Sequence, residues 1–89
     1  MIDNGLVRKR VLQQVLQGTA DANIRFEDLR SLLSALGFTE RIRGDHHIFS
    51  RADIAEILNL QRRGSGAKPY QVKQVRAVIV RYKLGGEVK

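Results

Sequence analysis

The chain has 89 residues, enough for one domain around one modest core, and its 28% charged and 43% hydrophobic content is that of an ordinary folded domain. It has no cysteine, which excludes a disulfide framework, thiolate metal sites and a cysteine nucleophile. Sixteen basic residues against nine acidic ones leave a net charge of +7. The excess is one-sided: Arg8, Lys9, Arg10, Arg25 and Arg30 are balanced over residues 1–40 by Asp3, Asp21, Glu27, Asp28 and Glu40, so the whole surplus falls in residues 41–89. Such a basic half is the electrostatic footprint of a polyphosphate partner.

No apolar run is long enough to span a bilayer, and no helix pairs a basic face with aromatic anchors for a membrane surface. Met1-Ile2-Asp3-Asn4-Gly5 lacks the basic and then apolar pattern of a secretory leader, so the expected address is cytoplasmic.

In chain order, the first helix is predicted over Asn4–Gln17. Leu6, Val7, Val11 and Val15, flanked by Leu12 and Leu16, recur at helical spacing, and Gly18 is placed to stop it. Arg8-Lys9-Arg10 falls on its solvent side. A second helix is predicted over Phe26–Leu36, where Phe26, Leu29, Leu33 and Leu36 form a stripe broadened by Leu32. Glu27 and Asp28 occupy its first turn, where the helix dipole favours anions, and Gly37 follows as the C-terminal stop.

From Phe38 the period falls to two. Phe38, Glu40 and Ile42 alternate with Thr39, Arg41 and Arg43 in a half-buried strand, and Gly44-Asp45 supplies a two-residue hairpin turn with positive φ at Gly44. The returning strand runs His46–Arg51, with His46, Ile48 and Ser50 on one side and His47, Phe49 and Arg51 on the other. Ile54, Ile57, Leu58 and Leu60 suit either a short helix or a strand. A third strand over Ile57–Gln61 is preferred because a two-stranded sheet is marginal alone. Arg62–Lys68 reads as a flexible basic loop around Gly64-Ser65-Gly66.

The last helix is predicted to start at Pro69, suited to the first helical position, with Val72, Val75, Ile79 and Tyr82 buried. Lys73, Arg76 and Lys83 share another face. Gln71 and Gln74 are expected on the surface. Leu84-Gly85-Gly86 ends the helix, and residues 87–89 form a tail. The resulting fold class is α+β: helix, helix, three antiparallel strands, helix, with helices on one face of the sheet and the other face open.

One stretch carries chemistry: Gly44-Asp45-His46-His47-Ile48-Phe49. A tight turn delivers two imidazoles to the start of a strand, with Arg41 and Arg43 before them and Arg51 after. Histidine titrates near neutrality and exchanges protons at physiological pH. Cleavage of RNA needs a base for the 2′-hydroxyl and cations for the charge that develops on the phosphate. Adjacent histidines in a hairpin are also compatible with a purely structural role. Arg41 and Arg43 are candidate phosphate contacts. Lys68 and Lys73, beside the N-terminus of the last helix, are two more, aided by its dipole. Tyr70 either stacks on a base or packs.

The run from Phe26 to Phe49, with "LLSALGF" and "GDHHIF", resembles the HicA toxins, and "KPYQVKQVRAVIVRYKL" is similar to the closing helix in one branch of that family. The resemblance covers residues 23–84, leaving 1–22 as an N-terminal helical extension and 85–89 as a tail of one domain. It implies a fold similar to a double-stranded-RNA-binding domain and the activity of a messenger-RNA interferase in a toxin–antitoxin pair. It also implies a HicB-type antitoxin as protein partner, with no metal and no cofactor. The family's functional histidine corresponds to His46, or to His47 by comparison with members that carry it one place later. Arg41, Arg43, Gly44, Arg51, Lys68 and Lys73 are then the expected RNA contacts. Asp45 stands where the family usually has serine. The Pro-x-His segment common on the third strand is replaced by "ILNLQRR", so a single imidazole acts with water or an arginine.

Overall fold

A computed structural model describes residues 4–87; the first three residues, which begin the stretch expected to carry no leader, and 88–89, the end of the expected tail, lie outside them. Helix α1 spans Asn4–Gln17 and helix α2 Phe26–Ala35, joined by a polar connection with a short 3-10 turn at Asp21–Asn23. Strands β1 (Thr39–Arg43), β2 (His46–Arg51) and β3 (Ile54–Leu60) form an antiparallel sheet in the order β1-β2-β3. Two short strands, β4 (Arg62–Arg63) and β5 (Gly66–Ala67), make a separate hairpin, and helix α3 runs Pro69–Arg81 before a final 3-10 turn at Leu84–Glu87. The architecture is α+β and compatible with a double-stranded-RNA-binding-domain-like fold. Among the described residues no helix is long and apolar enough to cross a membrane.

Helix α2 ends where its sequence places the stop. Gly37 takes φ +87°, its N–H donates to the Ser34 carbonyl at 3.0 Å, and Phe38 N–H reaches the Leu33 carbonyl at 3.0 Å. These are the paired bonds of a Schellman motif, and the positive φ is why glycine stands there. The Leu36 carbonyl, left over by the helix, accepts from Arg51 Nη1 at 2.8 Å.

The core gathers Val11, Leu12 and Val15 of α1, Leu29, Leu32 and Leu33 of α2, and Val72, Val75, Val78 and Ile79 of α3. Against them pack Phe49 of β2 and Ile54, Leu58 and Leu60 of β3. The pairings Ile42↔His47↔Leu60 and Glu40↔Phe49↔Leu58 put these side chains on the helix side of the sheet. The opposite face is open and carries Arg41, Arg43, His46, Ile48, Ile57 and Asn59.

Several expectations change. The third strand begins at Ile54, three residues earlier than predicted, because Ile54, Leu58 and Leu60 all fall on the buried side of one alternation. Ile57, between the inward positions of that alternation, is on the open face and 66% exposed. Ile42, on the edge strand β1, is 55% exposed, while Leu6, Val7 and Leu16 leave the α1 stripe for solvent. The basic loop 62–68 is instead ordered as the β4–β5 hairpin. Phe26 N–H donates to the Ser65 carbonyl at 2.9 Å and Ala67 N–H to the Ile24 carbonyl at 2.8 Å, which stitches the hairpin to the start of α2. Gln71, expected on the surface, is 4% exposed. Its side chain lies along the outer edge of β3, accepting from Gln61 N–H at 3.0 Å and donating to the Asn59 carbonyl at 3.4 Å. It thereby takes the place of a neighbouring strand at that edge.

Candidate nucleic-acid interface

The two histidines have different surroundings because β2 alternates. His47 points to the helix layer, and its side chain is 9% exposed. Its ring meets Phe26 edge-on, with centroids 4.9 Å apart, and Nδ1 lies 2.8 Å from Glu40 Oε2. Glu40 also accepts from Arg30 through Nε (2.7 Å) and Nη2 (2.9 Å). This pair of hydrogen bonds from Arg30 holds the Glu40 carboxyl below the ordinary 4.5, outweighing burial, with the contact to His47 acting in the same sense. Arg30, Glu40 and His47 thus form a satisfied polar cluster under the sheet.

His46 points the other way. Its side chain is 47% exposed on the open face. Arg43 is its direct neighbour on β1, and Arg41 stands one pair further along, opposite Ile48, which in turn faces Asn59. The Gly44-Asp45 turn that presents it has φ +59° at Gly44, and a methyl group added there would meet nothing within 4 Å, so the turn is open to solvent. His46 Nδ1 lies 3.0 Å from Asn59 Oδ1, and Nε2 lies 3.5 Å from Gln61 Nε2 and 3.8 Å from Asp45 Oδ1. Gln61 Nε2 also donates to Asp45 Oδ2 at 3.1 Å, and Lys68 Nζ donates to Gln61 Oε1 at 3.3 Å. Lys68 is therefore brought to the His46 end of the sheet by Gln61.

Pairing separates the basic residues into two groups. Arg30, Arg51, Arg62 and Arg76 are engaged: Arg51 with Asp53 and the Leu36 carbonyl, Arg62 with Glu27 and across the Phe26 ring, Arg76 with Asp21 and the Val15 carbonyl. Arg41 and Arg43 are exposed and form no ion pair among the described residues. The structure therefore joins Arg41, Arg43, Gly44, His46 and Lys68 in one region. It places Arg51 at the far end of β2, where it caps α2 and lines a concavity of about 820 Å³ with Gly37, Thr39, Ser50 and Ile57. Lys73 is exposed on α3, in the helix layer rather than on the strand face that carries His46. Of the expected trio Lys73, Arg76 and Lys83, Arg76 is drawn inward beneath Gly18.

Asn59 and Gln61 are not among the residues that the sequence singles out. The available signal is alternation: once Leu58 and Leu60 are assigned inward, Asn59 must face outward beside His46. Among the described residues no group of three or more His, Asp or Glu side chains gathers as a metal site. No protein-family model, curated protein or solved structure matches the chain.

Proposed function

We propose that the protein is an RNA-cleaving toxin of the HicA type, a cytoplasmic messenger-RNA interferase that works without a metal ion. The observation that carries this reading is the single exposed imidazole, His46, on an open sheet face beside two guanidiniums, Arg41 and Arg43, that form no ion pair among the described residues. RNA lies across that face with a phosphate between Arg41 and Arg43. Backbone N–H groups of the Gly44 turn and Lys68 complete its surroundings. His46 Nε2 takes the proton of the 2′-hydroxyl, and the 2′-oxygen attacks the adjacent phosphorus as the bond to the 5′-oxygen breaks. The departing 5′-oxygen collects a proton from water or from the imidazolium, leaving a 2′,3′-cyclic phosphate and a 5′-hydroxyl end. A HicB-type antitoxin is the expected protein partner and covers the same basic face.

The burial of His47 supports a second reading, an RNA-binding module without cleavage. With His47 held under the sheet by Glu40, no second imidazole stands by to protonate the leaving oxygen. The test is incubation of the protein with a mixed-sequence RNA in EDTA, beside the same RNA carrying 2′-deoxyribose at the mapped cleavage sites. Cleavage of the first alone, with cyclic phosphate ends, is expected. Intact RNA that still shifts on a native gel would replace the nuclease with the binding module.

A further inference from the structure

His46 is neutral in two tautomers, and only one leaves a lone pair on the nitrogen that faces the Asp45–Gln61 side. The polar partners around it select between them. Lys68 is a donor only, so the Gln61 atom it meets at 3.3 Å must be the carbonyl oxygen. The Asp45 carboxylate is an acceptor, so the Gln61 atom it meets at 3.1 Å must be the amide nitrogen. The orientation of Gln61 is fixed at both ends. Its amide group then faces His46 Nε2 at 3.5 Å as a donor, which requires an unprotonated Nε2. The ring proton sits on Nδ1, where Asn59 Oδ1 accepts it at 3.0 Å.

From this we infer that Asn59 is the positioning residue of the site: it holds His46 in the Nδ1-protonated tautomer and turns a bare Nε2 outward. The inference rests on the ribonuclease reading for its catalytic consequence, but the tautomer itself does not. The contact from Gln61 is at the long limit of a hydrogen bond. It marks the direction of the lone pair and leaves room for a 2′-hydroxyl to take its place. The same carboxylate that orients Gln61, Asp45, stands 3.8 Å from Nε2 and steadies the imidazolium once the proton has been transferred. Lys68, Gln61, Asp45, His46 and Asn59 form one chain from the start of α3 to the C-terminal end of β3. This gives Asp45 a use that a serine at the same place lacks.

The experiment is a long-range 15N–1H correlation spectrum of the histidine rings at a pH where His46 is neutral. The His46 signals are assigned by their loss in His46→Ala. The wild type is expected to show Nδ1–H and a bare Nε2. Asn59→Leu shifts the ring towards Nε2–H, while Asn59→Asp, which keeps an acceptor, retains the wild-type pattern. Asn59 is exposed, so neither change removes a core contact. In cleavage assays Asn59→Leu lowers kcat about ten- to a hundredfold, part of the 10²–10⁴ that a positioned base is worth, with KM little changed. Asn59→Asp recovers most of that loss. A wild-type ring protonated at Nε2, or an Asn59→Leu ring identical to wild type, would overturn the assignment. An altered tautomer with undiminished kcat would overturn its catalytic consequence. The expected tautomers in a protein that cleaves no RNA would defeat the ribonuclease reading and leave Asn59's hold on His46 intact.

Discussion

Two neighbouring histidines of one strand point to opposite faces of the sheet, and the pleat alone decides which is buried. His47 is spent on the fold: its ring lies against Phe26 and its Nδ1 on Glu40, which Arg30 grips with two nitrogens. The depressed Glu40 carboxyl makes this cluster sensitive to acid. Its value in the folded protein lies below the 4.5 of the unfolded chain. Its stabilisation is therefore complete well above pH 4.5 and is lost as the pH falls through the folded value. Glu40→Gln is expected to unfold about 1.5–3 kcal/mol more easily at neutral pH, the range for hydrogen bonds to charged groups. Its stability should also fall less than the wild type's below about pH 4.5. Urea unfolding at a series of pH values measures both, and parallel curves for the two proteins would contradict the role given to Glu40.

At the scale of elements, β3 is an edge strand whose far end is closed by a side chain rather than a strand. Gln71 satisfies Gln61 N–H and the Asn59 carbonyl from the first turn of α3. Gln71→Ala leaves that amide without its partner and is expected to cost about 1–2 kcal/mol. Hydrogen exchange should show Gln61 N–H losing protection while the central-strand amides of Ile48 and Phe49 keep theirs. Unchanged exchange at Gln61 would show the edge to be closed by something else.

Gln71 also shows where sequence reading stops. A polar residue near a helix start belongs on the surface by period and composition; only the approach of β3 buries it. The helices are legible because Leu29, Leu33, Val72 and Val75 repeat at helical spacing, and Gly37 and Pro69 mark ends by backbone geometry alone. The separation of His46 from His47 is legible in the alternation of β2. The hairpin at Arg62–Ala67 is not, since Arg-Arg-Gly-Ser-Gly has no apolar period and its order comes from Ile24 and Phe26, far away in the chain. Nor is the use of Arg51 and Arg76, whose partners are fixed by packing across the domain.

For the whole molecule, net charge is less informative than the charge left over after pairing. Four arginines of the basic second half, Arg51, Arg62, Arg76 and Arg81, are paired with Asp53, Glu27, Asp21 and Glu56. Arg41 and Arg43 remain on the open face with Lys68 at its end. Binding of a single-stranded RNA through three such cations should fall with salt at a slope of about −2 in log–log form. Arg41→Ala and Arg43→Ala should each make that slope shallower by about 0.7, whereas Lys9→Ala on α1 leaves it unchanged. Equal slopes for all of these proteins, measured by fluorescence anisotropy, would move the RNA off this face.

The proposed division between chemistry at His46 and structure at His47 is tested by parallel cleavage rates and melting curves of His46→Ala and His47→Ala. His46→Ala should keep wild-type stability within about 0.5 kcal/mol and lose at least about a hundredfold in cleavage of RNA in EDTA. His47→Ala should lose about 2–3 kcal/mol of stability yet still cleave at temperatures where it is folded. The reverse pattern, a folded but inactive His47→Ala beside an active His46→Ala, would contradict the account.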